Sequence, residues 1–161
     1  MEISLGTIMA FAGAALAVIL PGIGSGAGVG WVGQASSGVV TEDPDKFGPT
    51  LLLQALPGTQ GIYGFLSAFM IMLKIGVLGG ELVQLPWSTG LLFFLASLPV
   101  AINCWLTAYY QARTSMASVN IVAKRPEEVG KALTFPAMVE TYAVLSFLAS
   151  LLLIFGIPVG K

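Results

Sequence analysis

Four long stretches without charged residues constrain this chain more than any other feature of its sequence. Residues 3–41, 47–73 and 82–112 contain no Asp, Glu, Lys or Arg, and residues 132–160 contain only Glu140. A helix that spans a bilayer needs about 20 predominantly apolar residues, and in lipid the backbone must satisfy its own hydrogen bonds. The sequence therefore predicts an all-α integral membrane protein with four transmembrane helices, at about residues 4–40, 50–76, 87–123 and 131–157.

The composition agrees with a membrane fold. Charged residues make up 9% of the 161 residues, whereas soluble domains contain about 25%. The chain has no histidine and one cysteine, Cys104, which argues against an internal disulfide framework and against a zinc or haem site. The net charge of −1 offers no basic surface for nucleic acid. No stretch remains for a soluble domain, so we expect residues 1–161 to form a single membrane domain.

Short connectors with turn-forming residues separate the four stretches. Residues 41–49 and 124–130 combine Pro, Gly and acidic residues, which stop helices, and the second connector contains Gly79, Gly80, Glu81 and Pro86. Positive residues favour the cytoplasmic side. Two basic residues, Lys74 and Lys161, lie on the side of the termini, and the other side holds Lys46, Lys124, Arg125 and Lys131. This balance predicts cytoplasmic loops at 41–49 and 124–130, with both termini outside.

The two halves of the chain resemble each other. Each has a helix rich in small residues, a polar loop and a second helix, which gives one hairpin at about 4–76 and another at about 87–157. Pro44-Asp45 in the first loop parallels Pro126-Glu127 in the third, and after a two-residue gap Gln60 aligns with Glu140. The pattern predicts a duplicated helical hairpin, in which one copy keeps the acid and the other has its amide counterpart.

Glu140 is the residue whose position most needs a chemical explanation. It lies about ten residues into the fourth predicted helix, where a charged side chain costs roughly 2.5–3.5 kcal/mol on insertion scales. Such an acid either carries an ion or serves as a structural acid that is hydrogen-bonded between helices. Arg113 is the other charge at this depth. It lies two positions from Gln111, so the two side chains do not share a helix face, and we expect Arg113 to extend toward the membrane surface.

A polar stripe on the second helix offers oxygen ligands near this acid. Leu56, Thr59, Gln60 and Tyr63 follow the i, i+3, i+4, i+7 spacing of one helix face, and the third helix adds Gln111. Their hydroxyl, amide and phenol groups carry oxygens, and hard cations bind several oxygens. A set with one carboxylate suits a monovalent ion better than calcium. The alternative interpretation is that these polar groups only hold the helices together.

The first helix contains an unusual run of glycines. Gly28, Gly30 and Gly33 form a G-x-G-x-x-G pattern, but a dinucleotide site needs a strand before this motif, and the sequence predicts none. One helix face contains Gly22, Gly26, Gly30 and Gly33, and the other side contains Gly24 and Gly28. Small residues let membrane helices approach closely. We interpret the glycines as packing residues that are crowded from more than one side, as on the inside of a narrow ring.

The segments Leu56-Pro-Gly-Thr-Gln-Gly-Ile-Tyr63 and Met138-Val-Glu-Thr-Tyr142, together with the glycine-rich first helix, resemble the four-helix proteolipid of V-type ATPases. This proteolipid, designated K or c, forms the rotor ring, and the resemblance covers essentially the whole chain. The bacterial sodium-translocating members are the most similar. The resemblance implies a Na⁺ site that Tyr63 closes, with ligands from Glu140, Gln111, Thr59, Gln60 and the backbone carbonyl of Leu56.

The resemblance also implies partners and a mechanism. Identical subunits would form a closed ring in the lipid bilayer of the cell membrane, next to a stator membrane subunit and a cytoplasmic central-stalk subunit. The chain would then be a non-catalytic subunit of an ATP-hydrolysing complex, and Glu140 would carry Na⁺ past the stator as the ring turns. A ring of the same type that carries H⁺ is the first alternative. A small four-helix cation or drug exporter and a purely structural pore protein are the others.

Overall fold

The computed structural model describes residues 3–80 and 82–159, so Glu81 and Lys161, which entered the connector and charge arguments, lie outside the described residues. Within these ranges the chain forms four long helices, each long and apolar enough to cross a membrane. This result confirms the predicted all-α fold with four transmembrane helices. The helices are α1 (Leu5–Glu42), α2 (Pro44–Lys74), α3 (Trp87–Lys124) and α4 (Pro126–Gly156).

Two of the connectors are much shorter than the sequence predicted. Asp43 alone separates α1 from α2, and Arg125 alone separates α3 from α4. Pro44 and Pro126 each begin a 3₁₀ turn that continues into the following helix. Proline fits a first helical turn because the N–H that it lacks would have no helical partner there. Most of the predicted loops at 41–49 and 124–130 is therefore helical, and these prolines begin helices instead of ending them.

Irregular turns interrupt α2 and α3 near the middle of the bundle. Residues Leu56–Gly58 form a 3₁₀ turn inside α2, and residues Pro99–Asn103 form a π turn inside α3. Such turns are short departures from the α-helix that are frequent at functional sites. Pro21 is buried inside α1, and the helix continues past it.

α1 and α3 pack against each other through direct contact between their backbones. A Cβ atom added to Gly13 would lie 2.8 Å from Phe94 Cα, and one added to Gly24 would lie 2.6 Å from the carbonyl oxygen of Trp105. Neither distance leaves room for a side chain. The glycines on this side of α1 therefore act as packing residues, as the sequence predicted.

The opposite side of α1 is open in the single chain. A Cβ atom added to Gly22, Gly26 or Gly30 would meet nothing within 4 Å. Gly33 differs from these three, because a Cβ atom there would lie 2.5 Å from the side-chain nitrogen of Gln54. The predicted glycine face is thus divided into one position that packs inside the chain and three that do not.

α2 and α4 carry the large apolar side chains on the outside of the bundle. α2 packs mainly on α1, α4 packs mainly on α3, and the two also contact each other. Leu152 on α4 is 75% exposed, and it belongs to a wide apolar surface. A surface of this kind suits lipid and not water. Its members include Phe65, Leu73, Leu145, Leu148 and Phe155.

The two hairpins repeat each other's contacts at an offset of 82 residues. In the first, the Thr59 hydroxyl donates to the carbonyl of Leu56 at 2.8 Å, and in the second, the Thr141 hydroxyl donates to the carbonyl of Met138 at 2.7 Å. We call residues 82 positions apart repeat mates. Cys104 Sγ also contacts the Ala143 carbonyl, at 3.6 Å. The mates of these two residues, Gly22 and Gly61, lie side by side as well.

This offset changes the alignment of the acid. The mate of Glu140 is Gly58, whereas the sequence alignment with a two-residue gap paired Glu140 with Gln60. The 3₁₀ turn that contains Gly58 changes the hydrogen-bond pattern of α2 but adds no residue to the helix. The offset of 82 therefore continues through this turn. The first hairpin therefore has a glycine, and not an amide, at the position of the acid.

The connector between α2 and α3 folds back onto the start of α1. The Ser4 hydroxyl accepts the N–H of Thr7 at 3.2 Å and donates to the carbonyl of Leu85 at 2.8 Å. The Thr7 hydroxyl donates to the carbonyl of Val83 at 3.0 Å. Ser4 thus caps α1 and at the same time ties this connector to the helix start.

Lys74 joins the ends of the two outer helices. Its ammonium group donates to the carbonyls of Ile154 and Phe155 at 2.8 Å each, and to that of Ile157 at 2.5 Å. The last carbonyls of a helix have no partner inside the helix, and a positive charge is favourable there. The end of α2 therefore caps the end of α4.

Candidate cation-binding site

Glu140 lies near the middle of α4 and points toward α2 and α3. Its side chain is half-buried, because the outer surface of α4 has no neighbour in the chain. Three side chains donate hydrogen bonds to it. Thr59 Oγ and Gln111 Nε2 lie 2.8 Å and 2.6 Å from its Oε2, and the Tyr63 hydroxyl lies 2.5 Å from its Oε1. These contacts bring α2, α3 and α4 together at one carboxyl group.

The 3₁₀ turn in α2 shapes one wall of this site. The carbonyl of Leu56 accepts the backbone N–H of Thr59, three residues later, where an α-helix would use the N–H of Gln60. The Thr59 hydroxyl lies 2.8 Å from this carbonyl and 2.8 Å from Glu140 Oε2. One hydroxyl proton cannot serve both of these oxygens at once. The three oxygens, from Leu56, Thr59 and Glu140, therefore make two contacts with a single proton unless the carboxyl group is protonated. A cation among these oxygens would balance the cluster equally well.

Two fully buried amides form the inner wall. Gln60 Nε2 donates to Gln111 Oε1, and Gln111 Nε2 also donates to the carbonyl of Pro136 at 3.2 Å. Gln60 Oε1 is buried and has no hydrogen-bond partner among the described residues. A buried acceptor without a partner costs about 1–3 kcal/mol. This oxygen is therefore an unused acceptor on the residue that contacts Gln111, which in turn contacts the carboxyl group.

The charges around the site suit a single positive charge. Among the described residues, no three His, Cys, Asp or Glu side chains lie close enough to hold a metal ion together. The ion pairs of the described residues are Asp43–Lys46 and Glu128–Lys131, at the ends of helices. Arg113 is exposed on another face of α3, in agreement with its predicted separation from Gln111.

The structure brings all six predicted site residues together. The side chains of Thr59, Tyr63 and Gln111 contact Glu140 directly, Gln60 contacts Gln111, and the Leu56 carbonyl contacts Thr59. Cys104, which was assigned no chemical role, is buried next to Ala143.

Sequence reasoning missed two supporting groups. One is the Pro136 carbonyl, which orients the amide of Gln111. The other is Phe147, which stacks on the ring of Tyr63 with ring centroids 5.2 Å apart. Phe147 lies seven residues after Glu140, so its place on the same face of α4 was open to prediction, whereas a backbone carbonyl leaves no mark in the sequence.

Comparison with known proteins agrees with this architecture. Residues 12–71 and 94–153 each match the family of the ATP synthase C subunit. Both ends of the two matched ranges lie 82 positions apart, as the repeat mates do. The chain is 44% identical to the V-type sodium ATPase subunit K of Enterococcus hirae over 149 residues, which are 92% of this chain and 92% of the relative.

A second relative comes from an archaeon. The chain is 38% identical to the A-type ATP synthase subunit K of Methanocaldococcus jannaschii over 154 residues, which are 96% of this chain and 65% of the relative. Two repeats of one family cover most of the helical residues, and both relatives align along nearly all of the chain. The chain therefore belongs to the ATP synthase C-subunit family and is a rotor-ring proteolipid of the V/A-type ATPases.

Proposed function

We propose that each copy of this chain binds one Na⁺ at Glu140 and carries it through the membrane as the ring turns. The observation that carries the proposal is the oxygen cluster around this carboxyl group. The Thr59 hydroxyl contacts both the Leu56 carbonyl and the carboxylate. Gln60, whose side chain contacts Gln111, has a buried Oε1 with no partner among the described residues. Na⁺ is a hard cation that such oxygens would hold.

Na⁺ is favoured over H⁺ by the number of these oxygens. A proton needs only the carboxylate and one acceptor, and every further buried polar group costs free energy unless it is paired. Gln60 and Gln111 are fully buried on an otherwise apolar wall, which is a poor arrangement for a proton site. The name of the Enterococcus hirae relative identifies a sodium ATPase. H⁺ transport by the same acid is the alternative.

The mechanism follows from the exposure of Glu140 at the outer surface of the bundle. In lipid, a bound Na⁺ would neutralise the carboxylate. At a stator membrane subunit the ion would leave and another would enter, so each exchange would advance the ring by one copy. ATP hydrolysis would be coupled to this rotation through a cytoplasmic central-stalk subunit. Moving one charge across the membrane is worth about 2.3 kcal/mol per 100 mV, which sets the work that each copy performs.

Protection of Glu140 from a carbodiimide tests the proposal. These reagents modify a protonated carboxyl group, so Na⁺ bound at the site should slow the labelling of Glu140 in the intact complex. Choline chloride at the same ionic strength is the matched control and should give no protection. Because the ligand must be deprotonated to bind the ion, more Na⁺ should be needed for half-protection as the pH falls. Labelling that follows pH but ignores Na⁺ at every concentration would instead identify a proton site.

The orientation in the membrane belongs to the same proposal. The basic residues at the 41–49 and 124–130 segments favour the cytoplasm, so both termini would lie outside. Residues 1–161 would form one membrane domain. Cysteines introduced at the exposed Asp45 and Glu127 should react with an impermeant thiol reagent from the cytoplasmic side only, and one at the exposed Leu78 from the other side only. The native Cys104 is buried and gives little background. The opposite labelling pattern would reverse the orientation.

A further inference from the structure

We propose that Ser25 of α1 is a positioning residue for the candidate cation site, an inference that rests on the proposed function of Glu140. The Ser25 hydroxyl accepts the backbone N–H of Gly61 at 2.8 Å. Gly61 lies just after the 3₁₀ turn Leu56–Gly58, where the α-helix of α2 begins again. This contact holds the restarted helix, and with it the wall of α2 that faces the carboxyl group.

The contact satisfies a donor that the interruption of α2 leaves without a partner. After the 3₁₀ turn, the α-helix begins again at Thr59. The first four N–H groups of an α-helix have no acceptor inside the helix, and Gly61 is the third residue of this one. The residue before a helix often supplies the missing acceptor from its side chain, but here that residue is Gly58, which has no side chain. Ser25 therefore provides, from another helix, the cap that α2 lacks.

The surroundings of this contact favour a fixed hydrogen bond. Ser25 is only 6% exposed. A Cβ atom added to Gly61 would lie 3.3 Å from both the Cβ and the Oγ atoms of Ser25, so the two helices approach closely and leave little room for a side chain at position 61. A buried N–H without an acceptor is costly. The position of the restarted helix is therefore tied to that of the Ser25 hydroxyl.

Two further residues of α1 contact the 3₁₀ turn from the same side. A Cβ atom added to Gly28 would lie 2.8 Å from the Cβ atom of Pro57, so this glycine leaves the space that the proline ring occupies. A Cβ atom added to Gly58 would lie 3.5 Å from Val29 Cγ2. Residues three and four positions after Ser25 share its helix face. This face of α1 therefore packs on the turn, and Ser25 adds a hydrogen bond to the helix that follows it.

The second hairpin shows the equivalent positions where the outer helix is not interrupted. The repeat mates of Ser25 and Gly61 are Thr107 and Ala143. Thr107 is also 6% exposed, but its hydroxyl donates to the carbonyl of Asn103 in its own helix at 2.8 Å. α4 is continuous at Ala143, so the N–H of this residue has an acceptor within the helix. The hydroxyl thus crosses to the outer helix in the hairpin whose outer helix is interrupted, and not in the other.

The restarted helix carries two of the three groups that donate to the carboxyl group. Thr59 and Tyr63 lie two residues before and two residues after Gly61, and the hydroxyls of both donate to Glu140. Because both groups belong to one short stretch of helix, a displacement of its first turn moves them together relative to the carboxyl group. Ser25 therefore acts on the site through the backbone of α2 and not by direct contact.

Substitution of Ser25 in the complete complex tests this role. Ser25→Ala removes the acceptor and should raise the Na⁺ concentration needed for half-protection of Glu140 from carbodiimide roughly five- to tenfold, as expected for one lost hydrogen bond. Ser25→Thr keeps the hydroxyl and should restore the original requirement. The matched control is Thr107→Val, which removes the equally buried hydroxyl of the mate and should leave the requirement unchanged. Equal shifts in the alanine and valine variants, or no shift in either, would overturn the proposal.

Backbone hydrogen exchange measures the same contact in the absence of Na⁺. The amide hydrogens of residues 59–63 should exchange faster in Ser25→Ala than in Thr107→Val, because the N–H of Gly61 has lost its acceptor. Ser25→Cys, whose thiol is a weak acceptor, covers the case in which alanine disturbs assembly and should give intermediate values. Faster exchange with an unchanged Na⁺ requirement would show that Ser25 caps the helix without positioning the site, which contradicts the proposal.

The proposed ion can fail without this proposal. If Na⁺ gives no protection even in the unsubstituted complex, the ion is refuted, and the rate of carbodiimide labelling at one fixed pH becomes the measure of Ser25. That rate should rise severalfold in Ser25→Ala and stay unchanged in Thr107→Val, because Thr59 and Tyr63 would no longer hold the carboxyl group in place. An unchanged rate in the alanine variant would then refute the role of Ser25 as well.

Discussion

The contact between the two hairpins inside the chain has a counterpart on the outside of the second hairpin. This counterpart is an open groove lined by Leu106, Tyr110, Met138 and Tyr142, among others. The repeat relates the two places, yet their chemistry differs. Inside the chain, Glu140 and Gln111 meet Thr59 and Tyr63. In the counterpart, the acid is replaced by Gly58 and the amide of Gln111 by its mate Val29. The phenol of Tyr63 is likewise replaced by Leu145. One of the two equivalent positions contains the acid and Gln111, and the other has neither an acid nor an amide at the matching places.

The hydroxyl contacts of the two hairpins do not explain this difference. Thr59 and Thr141 are repeat mates, and each donates to the carbonyl three residues earlier. The backbones nearby differ, because Leu56–Gly58 form a 3₁₀ turn whereas Met138–Glu140 are α-helical. The hydroxyl contact is nevertheless shared, so the acid, the amide and the phenol are the side chains that distinguish the two positions. An intramembrane charge costs free energy wherever it occurs, so a second acid without ligands would destabilise the bundle. The comparison teaches that duplication supplied the scaffold and substitution confined the acid to one position in each chain.

The largest expected effect comes from removing the acid. Glu140→Gln should abolish Na⁺ transport by the complex while the ring still assembles, because the amide keeps the size of the side chain but cannot neutralise a cation. Isotopic Na⁺ uptake into proteoliposomes measures the loss. Adding Gly58→Glu to this variant should not restore transport, since the counterpart has Val29 where the site has Gln111. Restored uptake would contradict the difference between the two positions.

A smaller effect is expected when Gln111 is replaced by valine, the residue type of its mate Val29. Gln111→Val removes a donor to the carboxylate and the partner of Gln60. Hydrogen bonds to charged groups contribute about 1.5–3 kcal/mol, so half-protection of Glu140 from carbodiimide should need roughly ten- to a hundredfold more Na⁺. Ser118→Ala, which removes another buried polar group from α3, is the control. Equal Na⁺ protection in both variants would show that Gln111 does not contribute to the site.

The smallest effect separates the two threonines. Thr59→Val removes one hydroxyl from the oxygen cluster, and at about 1 kcal/mol for a single hydrogen bond the Na⁺ requirement should rise roughly fivefold. Thr141→Val removes the matching hydroxyl, which is exposed and remote from the carboxyl group. It should leave protection unchanged. If both variants shifted the Na⁺ requirement alike, helix stability and not ion binding would be the cause.

Much of the fold was predictable because the membrane restricts the choices of the chain. The absence of charge over residues 3–41 and 82–112 predicts one membrane-spanning helix within each range, and the spacing from Leu56 to Tyr63 places a polar stripe on one face of α2. The prediction was wrong about where α2 and α4 begin, because Pro44 and Pro126 were interpreted as residues that stop helices. Pro44 and Pro126 open helices, and sequence alone does not distinguish a proline at a first turn from one in a loop.

The candidate site was predictable as a set of residues but not as a geometry. The side chains around Glu140 could be named because their types and helical spacing limit the possibilities. The role of the Leu56 carbonyl depends on a 3₁₀ turn, and the support that Pro136 gives to Gln111 depends on a backbone oxygen. Neither property follows from residue identity. The offset of 82 was also missed, because apolar helices align nearly as well when a gap is introduced.

The lysine that closes the ends of the outer helices has a consequence for how force is transmitted. Lys74 holds the last turn of α4 by three carbonyls, about 14 residues or roughly 21 Å along the helix from Glu140. α2, which provides the lysine, also carries the hydroxyl and phenol that grip the carboxyl group. The two helices are thus held together at two levels, by hydrogen bonds in the middle and by the Lys74 contacts at the end. A sideways pull on the carboxyl group would then turn the pair as a stiff unit, and the torque would reach the rest of the subunit without first bending one helix away from the other.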